Sequence, residues 1–423
     1  MAFSSAWAYY GLLIAGPALA WLYAVIVLIF LWSWHECQLN SMTKVISLRT
    51  AFLVAVVAIA IGLLCQGDDN NNNNIPLEAI LSIGIVTSLV SIWFIYQTRL
   101  NEIEGGPPPP ALFLDHDDDN SIKGKVVLVT GANSGIGKET VRQLASLGAA
   151  TVILACRSES RAIAAMDDIR ASLFLDDNKQ LPPLQQQPLV QLDLRFLPLD
   201  LSNLASVRRA VQLFLEMNLP LHVLVNNAGV MMGQKTVTKD GYELMMQANH
   251  LGHFLLTLLL LHKLKKQGGR VVTVTSSTYG LVAKNGFDFD DMFCNSTRKY
   301  TLFGQYAQSK LANILFAKEL ARRHPDILSC AVHPGLVRTD VVRNMPWYLY
   351  YPNTIFAVFV AALQKQPKQG AYTIVWCAAT KTPPENGSYC VNCKVQETYS
   401  YANSVEDAKR LWDLSEELVH VKQ

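Results

Sequence analysis

Val126-Val127-Leu128-Val129-Thr130-Gly131-Ala132-Asn133-Ser134-Gly135-Ile136-Gly137-Lys138 is the stretch that decides the fold. Four consecutive apolar residues predict a strand buried on both faces. A glycine-rich turn follows at once, and a helix-like run from Lys138 to Leu147 follows the turn. Glycines let the backbone reverse tightly and approach a pyrophosphate, while the helix N-terminus supplies N–H groups and a positive dipole end. Gly131, Asn133, Ser134, Gly135, Ile136 and Gly137 are therefore expected to line the phosphates of a dinucleotide. Such a turn is weak evidence when it stands alone. Here it is joined far downstream by Tyr306-x-x-x-Lys310, a spacing that puts a phenol and an ammonium on one face of a helix.

Outward from that turn, β-like and helix-like segments alternate from Lys123 onward, which predicts a parallel sheet covered on both faces. Strands are expected near 125–130, 151–155, 195–199, 222–226, 270–275, 327–332 and 388–391. Helices are expected between them, notably at 136–147, 203–217, 242–265, 304–323 and 368–380. The fold class is a Rossmann-type doubly wound α/β domain over residues 122–423. Leu175–Gln191, rich in Gln, Pro and Asp, is expected to be an inserted surface loop.

The 423-residue chain leaves room for more than this domain. Half of its residues are hydrophobic and only 17% are charged, with a positive mean hydropathy. Three apolar stretches, Tyr9–Leu31, Val45–Cys65 and Ile75–Tyr96, are each long enough to cross a bilayer. Trp7, Trp32, Trp34, Trp93 and Tyr96 sit where an interfacial aromatic belt would be. The first stretch lacks a basic leader and is too long for a cleaved signal peptide. Residues 1–98 are thus expected to be a membrane anchor of three transmembrane helices. A linker at 99–121 follows, broken by Gly105-Gly106 and Pro107–Pro110. Lys44 and Arg49 follow the first span, and Arg99 follows the third. By the positive-inside rule, the domain after the linker faces the cytosol, and the membrane is expected to be that of the endoplasmic reticulum. Asn295-Ser296-Thr297 and Asn386-Gly387-Ser388 are sequons that would be glycosylated if that topology were reversed.

Residues 1–120 carry three basic side chains against ten acidic ones, so the net charge of +2 hides a basic remainder. A mildly basic domain suits a phosphate-rich cofactor and an anionic membrane surface. No basic stripe interleaved with aromatics suggests nucleic acid. The scattered cysteines read as reduced, buried thiols, and Cys390-x-x-Cys393 lacks the second ligand pair of a structural zinc, so no metal is expected.

The motifs in order resemble the short-chain dehydrogenase/reductase superfamily across about residues 122–420. They are the glycine turn, Ala155-Cys156-Arg157, Asp200-Leu201, Asn226-Asn227-Ala228-Gly229, Asn249-His250-Leu251-Gly252-His253-Phe254, Ser276-Ser277, Tyr306-Ala307-Gln308-Ser309-Lys310 and His333-Pro334-Gly335. Within the superfamily the chain is most similar to the membrane-bound retinol dehydrogenase group and to relatives acting on isoprenoid lipids. The resemblance implies a catalytic set of Asn249, Ser277, Tyr306 and Lys310, with Ser277 preferred to Ser276 by alignment of the pair. Tyr306 would exchange the proton. A free phenol titrates near pH ~10, and a neighbouring ammonium is expected to lower that value. Ser277 would polarise the substrate oxygen, and Asn249 would fix a water that relays protons to Lys310. Lys310 would also hold the nicotinamide ribose.

Asp200, with Leu201, is placed by the resemblance at the adenine edge. Asn227, Ala228 and Gly229 end the fourth strand where the cofactor comes close, and Pro334, Gly335, Val337 and Thr339 contact the nicotinamide carboxamide. An acidic residue at the end of the second strand would select NAD. Cys156 and Arg157 stand there instead. A guanidinium fork suits a 2′-phosphate, so NADP(H) is the expected cofactor, with Lys138 adding positive charge. The insertion between Ser277 and Tyr306 holds Phe287, Phe289, Met292 and Phe293, and the retinol dehydrogenase-like branch carries a similar extension. Met345–Tyr351 and the apolar run Ile355–Leu363 are expected to form a flap over a long apolar alcohol or carbonyl, to serve as a core or homo-oligomer interface, or to make a fourth, shallow membrane contact. The expected partners are a lipophilic small molecule and the lipid bilayer. The rival readings are a dinucleotide-binding membrane scaffold without turnover, and a double-bond reductase or epimerising enzyme using the same proton relay.

Overall fold

In the computed structural model, residues 122–180, 192–282, 286–296, 299–337 and 365–421 are described. The three expected membrane spans, the linker, the aromatic flap and Thr339 lie outside them. Eight strands form one sheet in the order β3-β2-β1-β4-β5-β6-β7-β8. They are β1 Val126–Thr130, β2 Thr151–Cys156, β3 Asp193–Pro198, β4 Val223–Asn226, β5 Arg270–Val274, β6 Leu328–His333, β7 Tyr389–Val391 and β8 Lys394–Val395. All neighbours pair in parallel except β7 and β8. The order reverses between β1 and β4, which makes the crevice beyond their C-terminal ends the natural ligand site of such a sheet.

Side chains of a strand point alternately to its two faces, and β1 shows the consequence. Val126 and Leu128 enter one core and Val127 and Val129 the other, all of them buried. The first core is closed by α3 Leu204–Glu216, α4 Leu244–Lys265, α5 Leu302–Arg323 and α7 Val405–Leu418. The second is closed by α1 Gly135–Ser146, α2 Glu159–Gln180 and α6 Pro367–Ala379. Helix α4 is long and apolar enough to cross a membrane, but it is mostly buried within this domain. Its all-round hydrophobicity is that of a core helix.

Helix α2 runs to Gln180, so the first six residues of the expected loop at Leu175–Gln191 continue a helix instead. The Cys390-x-x-Cys393 pair forms a hairpin. Cys390 is buried on β7, while Asn392 and Cys393 adopt left-handed φ values of 51° and 56° in the turn to β8. Two left-handed central residues are what a type I′ hairpin turn requires.

Candidate active site

The glycine turn leaves β1 and enters α1. Gly131 has φ +64°, and its N–H donates to Ala155 O on β2 at 2.8 Å. Gly137 is required by crowding, since a Cβ there would lie 2.4 Å from Gly131 O and 2.5 Å from Asn227 Nδ2. Asn133, Ser134, Gly135 and Ile136 are partly exposed along the crevice. Ser134, the N-cap of α1, makes no side-chain bond to its helix. Asn203, Glu243, Thr301 and Ser404 do cap α3, α4, α5 and α7. Among these five helices, α1 is thus the one whose first-turn amides have no side-chain cap and are open to an anion.

At the rim, Arg157 is exposed one residue beyond β2, beside the strand that Gly131 bonds. Lys138 differs from expectation. Its ammonium pairs with Asp168 on α2 at 2.7 Å, and Arg142 also reaches that carboxylate. Lys138 is thus held by a protein carboxylate, and among the described residues Arg157 is the exposed cation next to the end of β2. Asp200 Oδ1 accepts from Ser202 N at 3.0 Å and from Ser202 Oγ at 2.6 Å, which shapes its own turn. The side chain of Leu201 is buried in the core, so only its main chain is left to face a ligand.

Beyond β4, Asn227 Nδ2 donates to Thr130 O at 2.8 Å, and the N–H groups of Asn227 and Ala228 both donate to Thr130 Oγ1 at 2.9 Å. Asn226 Nδ2 donates to Thr257 Oγ1 on α4. Gly229 opens the space that matters for chemistry. A Cβ on it would stand 3.5 Å from Lys310 Nζ and 3.6 Å from Asn249 Oδ1.

Asn249 lies in a π-helical turn, Gln247–Leu251, within α4. Such turns are frequent at functional sites because they re-aim one side chain. Asn249 Oδ1 accepts from Val230 N at 2.8 Å, and its Nδ2 donates to Val230 O and to Ser309 Oγ, each at 3.0 Å. Tyr306 and Lys310 come from one face of α5. Lys310 Nζ lies 5.5 Å from the centre of the Tyr306 ring and donates to Val274 O at 3.1 Å.

Burial sets the protonation of this pair. It pushes the Tyr306 phenol up to about 12 and the Lys310 ammonium down to about 8. The expected lowering of the phenol by its lysine is therefore not seen in the protein alone. Desolvation of the phenolate outweighs an ammonium that is directed at a carbonyl.

Ser276 Oγ caps the short 3₁₀ turn Ser277–Leu281 by accepting from Thr278 N, whereas Ser277 is exposed. Ser277 N donates to His333 Nδ1 at 3.3 Å. Burial and the nearby Lys365 ammonium hold His333 well below its ordinary range, so the ring is neutral and free to accept. After β6, Pro334 is buried, Gly335 has φ +92°, and Val337 pairs with Lys365.

The insertion between Ser277 and Tyr306 is fastened to the same helix. Gln305 Nε2 donates to Met292 O, and Gln308 exchanges bonds with Asp288 N and Gly286 O. These glutamines flank Tyr306 on either side. Met231, Met245 and Leu302 pack with Tyr306 in a small apolar cluster bordered by Met232 and Tyr300. Sequence reasoning assigned no role to Thr130, His253 and Ser309, which bond Asn227 N, Asn249 O and Asn249 Nδ2 respectively. The signal available for the latter two was spacing, since His253 stands four residues from Asn249 and Ser309 three from Tyr306.

The crevice therefore has uncapped helix amides, an exposed arginine at the second strand, a glycine-lined gap and a buried phenol–amine pair. Those features fit a dinucleotide. Comparison with known proteins agrees. The short chain dehydrogenase family profile matches residues 125–288. Mouse retinol dehydrogenase 12 is 40% identical over 309 residues, covering 71% of this chain and 88% of that protein. Human retinol dehydrogenase 11 is 39% identical over 305 residues, with 70% and 86% covered. Mouse polyprenol dehydrogenase is 36% identical over 352 residues, with 79% and 92% covered. A solved structure of an uncharacterised protein from Mycobacterium paratuberculosis superposes with a TM-score of 0.53 at 30% identity, covering 72% of this chain and 97% of that one. With the fold, the motifs and these relatives in agreement, the chain belongs to the short-chain dehydrogenase/reductase family, in its retinol dehydrogenase-like branch, and is an NAD(P)-dependent oxidoreductase of that kind.

Proposed function

We propose that this protein is a membrane-anchored, NADP(H)-dependent oxidoreductase that interconverts a lipophilic alcohol and its aldehyde or ketone. The observation that carries this reading is the buried Tyr306–Lys310 pair, with Asn249 facing Lys310 across the open space at Gly229. When bound, the nicotinamide supplies or accepts a hydride at the carbonyl carbon. In the reductive direction the Tyr306 hydroxyl donates its proton to the substrate oxygen, which Ser277 holds by a hydrogen bond. A phenol held at about 12 is protonated at neutral pH and so carries the proton that reduction of the carbonyl consumes. Lys310 lies beside the ring and replaces the spent proton, and Asn249 positions the water that reaches Lys310 from solvent. An amine held at about 8 gives up and regains a proton readily near neutrality.

Two features favour an apolar substrate. Leu281, Phe303 and Leu336 are exposed on the three segments that carry Ser277, Tyr306 and Gly335. The methionine-rich cluster around Tyr306 adds an apolar, adaptable wall. Retinoids and polyprenoids are the first substrates to test, because the related proteins are named for them. Arg157 supports NADP(H) over NAD(H), as a fork of donors free at the place where a 2′-phosphate would come. A cytosolic catalytic domain on an endoplasmic reticulum membrane would meet its substrate in the bilayer and be supplied there with NADPH.

The test is consumption of NADPH and of NADH by detergent-solubilised protein with retinal, a polyprenal, a steroid ketone and a long-chain aldehyde. Turnover with NADPH on at least one of them supports the proposal. Tight NADPH binding with no turnover on all four would favour the non-catalytic scaffold, and reduction of a carbon–carbon double bond would favour the rival enzyme class.

A further inference from the structure

A chain of hydrogen bonds that the proposed reaction does not use runs between the π-helical turn of α4 and the turn beyond β4. His253 is 1% exposed and lies one helical turn after Asn249. Its Nδ1 is 3.0 Å from the main-chain O of Asn249, and its Nε2 is 2.9 Å from Thr130 Oγ1. A main-chain carbonyl only accepts, so Nδ1 carries the proton. In a neutral ring Nε2 then accepts, and the Thr130 hydroxyl donates to it. Val225 O lies farther from that hydroxyl, at 3.4 Å. Thr130 Oγ1 in turn accepts from the N–H groups of Asn227 and Ala228. Each proton in the chain has one direction. Burial holds His253 down to about 4, which keeps the ring in the neutral form that this pattern needs.

The two ends of the chain are the two halves of the site. At one end stands the turn from which Asn249 bonds Val230 and Ser309 and faces Lys310. At the other stands the Asn227–Ala228 turn, packed against Gly131 so closely that a Cβ there would lie 2.9 Å from Ala228 Cα. We propose that His253 is a positioning residue that holds the proton-relay asparagine and the floor of the dinucleotide crevice in register through one neutral imidazole and Thr130. This rests on the oxidoreductase reading above for its kinetic consequence, but not for its structural one. Misplacement by about 1 Å costs on the order of 100-fold in rate, so a shared tether of this kind moves binding and turnover together.

The experiment uses the full-length protein in detergent and four variants. His253→Phe keeps a ring of similar size and removes both bonds. Thr130→Val removes the link from the other end together with the acceptor for the Asn227 and Ala228 N–H groups, and carries the test through exchange at the distant Gln247–His253 turn if His253→Phe does not fold. Thr130→Ser restores the hydroxyl, and the double variant shows whether the two residues act as a unit. NADPH affinity is read by fluorescence without substrate, kcat with the best aldehyde, and amide hydrogen exchange without any ligand. His253→Phe and Thr130→Val are each expected to weaken NADPH binding about 10-fold and lower kcat about 10- to 100-fold. Thr130→Ser should stay within about 3-fold of wild type, and the double variant should be no worse than the poorer single one. Exchange should accelerate both at Asn227–Ala228 and at Gln247–His253, whichever end is altered. Wild-type affinity and kcat in Thr130→Val, or losses that multiply in the double variant, would overturn the inference. So would loosening confined to the altered element, and that readout stands even if the substrate class is wrong.

Discussion

Replacing Gly229 by alanine adds one methyl group to the space between Lys310 and Asn249. Gly229 is absent from the positive-φ positions, so an L side chain meets no backbone strain there. The new Cβ would sit 3.5 Å from Lys310 Nζ and 3.6 Å from Asn249 Oδ1, ordinary van der Waals contact on both sides. Folding should therefore be unharmed, and the loss of backbone freedom in the unfolded chain should stabilise by about 0.4–1 kcal/mol. For a domain of this size that is a rise in Tm of about 1–4 °C. In the proposed mechanism the same methyl would intrude on the space between Lys310 and Asn249 through which the proton relay is to run. Removing a positioned proton-transfer path costs about 100-fold or more, so kcat/KM should fall by at least that factor while Tm holds or rises. Thermal melts and steady-state NADPH oxidation on one preparation measure both. An alanine variant that keeps kcat/KM within about 3-fold of wild type would refute a functional role for the gap. A fall in Tm of more than about 4 °C would refute the packing geometry.

Three further outcomes are expected. Lys310 is buried, with its ammonium pushed down from 10.5 to about 8. The folded protein thus binds fewer protons than the unfolded chain between those values, and stability from this group rises with pH across that window. Below pH 8 the full penalty is present, on the order of 3 kcal/mol less whatever the Val274 bond returns. Lys310→Met should therefore raise Tm at pH 7 while abolishing turnover, and its advantage should shrink as the pH is raised from 8 towards 10. An unchanged or lower Tm at pH 7 would contradict this. Arg157→Ala should weaken NADPH binding by about 10- to 150-fold, the worth of charge-assisted bonds of about 1.5–3 kcal/mol, and leave NADH within about 3-fold. Equal losses for both cofactors would remove Arg157 from the 2′-phosphate. Asn386→Ala should lower stability by about 1–3 kcal/mol in a denaturant titration, because Ser329 N and Ile327 O lose their partner. No change would mean that water replaces both bonds.

The sheet was legible because its central strands are buried on both faces and so appear as unbroken apolar runs between turn residues, as at Val126–Val129 and Val152–Ala155. The site was legible where geometry follows from spacing, as with Tyr306 and Lys310 on one helical face. What stayed hidden depends on contacts between distant segments. Lys138 reads as a cation beside the glycine turn until α2 brings Asp168 against it. The direction of the Tyr306 shift follows from burial, which no local pattern states. The β7–β8 hairpin is short and turns on Asn392-Cys393 without a glycine, so its strongest usual signal is missing. Helix α2 fills the gap after the second strand as expected, but its last turns to Gln180 were read as loop, and the small residues that it buries, such as Ala162 and Ala165, leave little periodic contrast to mark its end. Helix α7 was the more readable omission, with a Ser404 cap and acidic residues in its first turn.

The central claim, hydride transfer to a lipophilic carbonyl with Tyr306 as proton donor, is tested most directly with NADPH carrying deuterium at the transferable C4 position. Wild-type protein incubated with retinal, or with the best aldehyde of the panel, should yield an alcohol bearing one deuterium on the carbinol carbon, seen by mass spectrometry. Tyr306→Phe should bind NADPH within about 3-fold of wild type and lower the rate of labelled product by about 100- to 10,000-fold. Labelled alcohol formed equally fast by the phenylalanine variant, or no label in any product from protein that binds NADPH, would contradict it.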